Sequence, residues 1–163
     1  MENDTNLAEA QAQRLEHVYE QLAVLVRQPD VMLRLRPPTS ENEWSAMQIL
    51  GHMVEMIPYW LINCRVLIAA TGAPPQFGRS LEAPERLEGA ERGATGTPDQ
   101  IIRQLREEVY AAMRVIRGMS PAERHKNGVH LSRGEMTVAD IIEIFIVSHA
   151  EGHVAQVRAT LGT

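Results

Sequence analysis

The chain has 163 residues, with 16 basic against 21 acidic side chains for a net charge of -5, and is 44% hydrophobic but only 4% aromatic. At about 150 residues per domain this is one domain with a core of Leu, Ile, Val, Met and Ala, and a two-domain enzyme is excluded. The scattered, acid-leaning charge argues against a nucleic-acid partner; the single cysteine, Cys64, excludes an internal disulfide and any Cys-x-x-Cys motif.

The opening residues, MENDTNLAEAQAQ, lack the apolar stretch of a secretion signal. No later run approaches the roughly 18 apolar residues of a membrane span, so a reducing, cytoplasmic setting without a membrane partner is expected. From Thr5 to Gln28, Leu15, Val18, Leu22 and Leu25 draw one apolar stripe along a first helix, which Pro29 ends. A second helix opens at Ser45, with Gln48 completing a capping box and Trp44 before it, and runs to about Thr71. Pro58 inside it removes a backbone donor, so a kink is expected between Val54 and Pro58. Residues 72–97 hold five glycines and three prolines without a sustained period and are expected to form a loop. Its 26 residues exceed the about 2 to 8 that join antiparallel neighbours, so it crosses the bundle and leaves the helices on either side parallel. Thr97, Pro98 and Gln100 start the third long helix, with Ile102, Leu105, Val109, Met113 and Ile116 inward. A short capped turn follows Ser120, and the last helix runs from a Thr137–Asp140 capping box to about Leu161. Strand alternation and internal repeats are missing. The expected fold is all-α, a four-helix bundle with a long crossover between its second and third helices.

At 100° per residue, Val138, Ile142, Phe145, Ile146, Val157 and Thr160 lie within about 60° of one direction on the last helix, and His149, His153 and Gln156 fall in the same sector. Both imidazoles are expected to point into the core. Four residues apart, they sit on adjacent turns with Cβ atoms about 5 to 6 Å apart, a metal-ligand spacing. A third ligand has to come from elsewhere. His52 qualifies, at the edge of the second helix's stripe of Ile49, Met53, Ile57, Trp60 and Cys64; Met56, Tyr59 and Asn63 share that edge as expected pocket wall. Glu55, one turn on from His52, is read as a solvated glutamate that could orient His52 or act as a base. Gln156 is either a support for the metal ligands or a buried amide. Glu151 faces away from the pair. His17, His125 and His130 are read as solvated or capping, Trp44 and Trp60 as packing anchors, and Cys64 as an inert buried thiol.

WSAMQILGHMVE, with His52, and TVADIIEIFIVSHAEGHVAQVRATL, with His149, His153 and Gln156, resemble the DinB/YfiT-like superfamily of bacterial metalloenzymes. These are all-helical bundles with one histidine on helix two and a His-x-x-x-His pair on helix four. The resemblance spans essentially the whole chain and implies an up-down-down-up bundle with a metal held by His52, His149 and His153. Many members place His-Arg-Gly around the second histidine of the pair; here Gly152, Val154 and Ala155 surround His153.

Three neutral imidazoles leave a divalent ion with open positions, as catalytic sites do. Such an ion lowers the pKa of bound water toward about 7, or binds and deprotonates a thiol. The residues leave both open. The resemblance favours a transferase that activates a low-molecular-weight thiol co-substrate such as mycothiol, bacillithiol or glutathione, since relatives include thiol-dependent S-transferases and an isomerase. The alternatives are a hydrolase using metal-bound water and a non-catalytic stress-response or binding module with a structural ion. Zinc or nickel is expected, as are a small-molecule substrate and, by resemblance, a homodimer.

Overall fold

The stripe of the first helix becomes α1, Glu2–Leu25, in which Leu15, Val18, Leu22 and Leu25 are buried. The computed structural model describes residues 2–163; Met1, first of the polar opening stretch, lies outside the described residues. α2, Ala46–Ala69, starts at a reciprocal Ser45–Gln48 cap, which satisfies two backbone donors that would otherwise be orphaned. It continues through Pro58. An interior proline costs about 3 kcal/mol. Complete burial of Met47, Ile49, Leu50, Met53, Met56 and Ile57 offsets it, at about 1.5–3 kcal/mol per large apolar side chain.

The crossover departs from the expected loop, because it contains a helix, α3, Pro84–Thr95. Its buried residues are Gly89, Ala90 and Gly93, so it shows no stripe of large apolar side chains from which to read a period. The small residues let two backbones meet. A Cβ at Gly51 would overlap the Gly89 carbonyl, and one at Gly93 would overlap the Met47 carbonyl. α3 therefore lies flush against the first turns of α2.

α4, Pro98–Gly118, is capped by Thr97 and buries Ile102, Leu105, Val109, Met113 and Ile116; α5, Pro121–Arg124, follows its Ser120–Glu123 capping box. The expectation of no strands is also corrected. β1, Gln76–Phe77, pairs in parallel with β2, Asn127–His130, which pairs antiparallel with β3, Gly134–Thr137. Two to four residues are too few to display alternation. The small sheet ties the start of the crossover to the hairpin ahead of the last helix.

That helix is α6, Val138–Ile141, capped by Thr137 and Asp140; a π-helical stretch, Ile142–Val147, leads into α7, Ser148–Leu161. Side-chain pairs set the direction of the four long helices. Glu9–Arg117, Glu16–Tyr110 and Arg27–Asp99 match ascending α1 with descending α4. Arg14–Glu151 and Gln21–Arg158 run in step along α1 and α7, whereas His52–His153 and Trp60–Phe145 run in opposition between α2 and the last helix. α2 and α4 are thus parallel, and the bundle is up-down-down-up. Among the described residues no helix is long and apolar enough to cross a membrane.

Candidate metal centre

α2 and α7 bring His52, His149 and His153 together. One ring nitrogen from each can be chosen so that all three lie within 4.8 Å of one another, which is close enough to share an ion. The ring centroids are 5.0 Å apart for His52 and His153, 5.8 Å for His52 and His149, and 4.5 Å for His149 and His153.

Each ring has an acceptor oxygen near Nδ1. His153 Nδ1 is 2.8 Å from Gln156 Oε1, His149 Nδ1 is 3.3 Å from the Phe145 carbonyl, and His52 Nδ1 is 3.6 Å from a Glu55 oxygen, in ion-pair range but beyond a hydrogen bond. In His149 and His153 these oxygens accept, so the proton belongs on Nδ1 and the lone pair on Nε2. Both ring nitrogens of His52 and Nε2 of His153 are buried without a hydrogen-bond partner. Burial depresses all three pKa values. It takes His149 to about 4, helped by the neighbouring His52 charge, and His153 to about 3, helped by that of His149. In His52 burial outweighs the upward pull of Glu55. All three are free bases at neutral pH, the form that ligates metals.

Comparison with known proteins bears on this arrangement. The family model of the DinB superfamily matches residues 7–157. The chain belongs to the DinB superfamily. Among solved structures it is similar to YfiT from Bacillus subtilis, described as a probable metal-dependent hydrolase with an unusual four-helix bundle topology. The TM-score is 0.75 at 17% identity, over 94% of this chain and 85% of that one. At such identity the likeness is one of fold. No curated protein sequence matches the chain.

In this DinB-superfamily protein His153 is buried as the helical wheel leads one to expect, while His52 and His149 depart from it. His52, expected at an edge, is 2% exposed, covered by the Trp44 ring at 5.2 Å. His149, also expected in the core sector, lies on its flank and is half-buried. The buried face of α7 is Ala150, His153, Val154, Val157 and Leu161. A uniform wheel does not carry through a π stretch, whose wider turn shifts the phase of every residue after it. Gln156 is exposed but keeps its hold on His153.

Glu55 is a second correction. Its side chain is 7% exposed rather than solvated, and both its oxygens meet Arg79, at 2.5 and 2.7 Å. Burial would raise its pKa, but His52 and Arg79 hold the carboxyl below the usual range. Met56, Tyr59 and Asn63 do not line the cavity beside the histidines. Met56 is core; Tyr59 lies under the Arg79 guanidinium at 3.8 Å; Asn63 accepts the Gly78 backbone N–H.

His17 and His125 are exposed, but His130 is 7% exposed, a third correction. It stacks on Phe145 at 5.0 Å, and Phe145 stacks on Trp60 at 4.2 Å. These rings wall a cavity of about 420 Å³ reached by His52, His149, Arg79, Arg86 and Arg133. Trp60 is therefore a stacking surface as well as an anchor, and Trp44 carries the Arg86 guanidinium 4.4 Å above its ring. No helical period links the β2–β3 hairpin to α2, so nothing in the linear pattern identified His130. Cys64 is buried, and burial pushes its thiol up to about 12, as an inert thiol requires.

Proposed function

We propose that this protein is a divalent-metal-dependent hydrolase of a small molecule, with His52, His149 and His153 as the metal ligands. The observation that carries the reading is the pair of buried Nε2 atoms on His52 and His153 that face no partner. An unsatisfied buried polar atom costs about 1–3 kcal/mol, so two in one cluster fit a site made for a cation. Neutral imidazoles suit zinc or nickel, and three protein ligands leave room for water or substrate. When bound, the ion supplies Lewis acidity, which brings the pKa of water toward about 7 and polarises a carbonyl.

The chain's own residues fix the ligand geometry. Gln156 and the Phe145 carbonyl hold the tautomers of His153 and His149, and Glu55, itself clamped by Arg79, faces His52. That clamp makes Glu55 a positioning residue rather than a free base. Hydrolysis draws its support from the fold shared with YfiT, described as a probable metal-dependent hydrolase. Transfer to a metal-activated external thiol draws none from either comparison.

The test is elemental analysis of protein purified without an affinity tag, then assay against ester and amide panels and against electrophiles with mycothiol, bacillithiol or glutathione. We expect bound zinc or nickel and hydrolytic turnover that H149A and chelation both abolish. Protein without an ion, or turnover indifferent to H149A, overturns the reading; thiol conjugation without hydrolysis would transfer the same centre to S-transfer.

A further inference from the structure

We propose that the cavity beside the histidines binds a small organic carboxylate, its anionic group taken by Arg86 and Arg133 and its apolar body set against the wall formed by Trp60, Phe145, His130, Leu81 and Leu131. This deepens the hydrolase reading and rests on it for the statement that the bound carboxylate is a substrate.

The first support is a surplus of positive charge. Of the three arginines that line the cavity, Arg79 is already matched by Glu55. Arg86 donates to the Leu81 carbonyl and stacks on Trp44, and Arg133 lies 5.2 Å over Phe145. Among the described residues neither Arg86 nor Arg133 forms an ion pair, whereas Arg14, Arg27, Arg34, Arg79 and Arg117 each do. The acidic groups felt at Arg86 are Glu55, already engaged, and the exposed Glu82. A divalent ion on the histidines would increase the surplus. A guanidinium left over at the mouth of such a cavity is suited to a planar, two-oxygen anion.

The second support is shape. Trp60 and Phe145 stack 10° from parallel with centroids 4.2 Å apart, and His130 stacks on Phe145 at 21° and 5.0 Å, so the rings brace one another into a fixed apolar wall. Leu81 and Leu131 also line the cavity, although they are 71% and 62% exposed. Exposed leucines beside an aromatic wall have contact to gain from an apolar ligand. About 420 Å³ accommodates one small molecule.

The experiment is calorimetric titration of benzoate and phenylacetate, and of their neutral amides, into metal-free and zinc-loaded protein. Metal-free protein isolates the arginines, because a carboxylate could otherwise ligate the ion directly. At least one acid should bind metal-free protein about tenfold or more tightly than its amide. R86Q and R133Q should each weaken the acid by about tenfold and leave the amide unchanged. R86K, which keeps the charge but loses the planar donor fork, should bind the acid with an affinity between those of the parent and R86Q, and thermal melts of each variant separate lost binding from lost folding. The proposal falls if acid and amide bind alike, if neither acid binds, or if both glutamine variants bind the acid as the parent does. Acid binding without zinc uptake would remove the metal reading and leave this site standing; zinc uptake without acid preference would do the reverse.

Discussion

Between α1 and α4, polar side chains meet in water and in pairs: Arg117 binds Glu9 at 2.7 Å, and Tyr110 donates to Glu16 at 2.9 Å. Between α2 and α7, the polar side chains are buried, and the Nε2 atoms of His52 and His153 meet nothing. The first interface could lose its polarity at little cost, because exposed pairs are screened and hold two long side chains in place for small gain. The second carries a desolvation penalty that apolar residues of similar size would avoid. The contrast locates function by what is buried and unmatched rather than by what is charged.

The largest expected difference between the two interfaces is in metal binding. His149→Ala should reduce zinc or nickel retained after dialysis to background, and an ion content equal to that of the parent protein would break the comparison. Next comes Gln156→Ala, which leaves the ligand set intact but frees the His153 ring. A competition titration with a chromogenic chelator should show affinity falling by about 10- to 100-fold; an unchanged affinity would reduce Gln156 to a bystander.

Stability in acid sharpens the same contrast without metal. Burial holds His149 down to about 4 and His153 to about 3, from an ordinary 6.5. Their contribution is complete above 6.5 and is lost as pH falls toward those values, because in that window the unfolded chain binds protons that the folded chain refuses. Each ring should cost of the order of 1 kcal/mol per pH unit. Urea midpoints of metal-free protein should therefore drop between pH 7 and pH 5, and H149A should show a shallower slope. At the bottom of the scale, Arg117→Ala should leave the calorimetric unfolding midpoint where it was; a clear drop would show that the α1–α4 pairs matter more than their exposure implies.

Much of this could be read from local pattern. The caps at Ser45, Thr97, Ser120 and Thr137, the apolar stripes of α1 and α4, and the His-x-x-x-His pair all depend on neighbours within one or two turns. α3 escaped because it packs through Gly89 and Gly93, and a residue without a side chain leaves no hydropathy signal. Glu55 escaped because Arg79, which buries and clamps it, lies 24 residues away on the crossover.

The linear order of residues thus determined the four long helices, their sense and which histidines could converge, since periodicity, capping and connection length are local or nearly so. Tertiary structure alone decided the phase of α7 after its π stretch, the burial of His52 beneath Trp44, and the seating of His130 against Phe145 and above Gly78, where a Cβ would strike its ring. Each of those depends on what a second, distant segment places against the first, and no periodicity within a single segment encodes that.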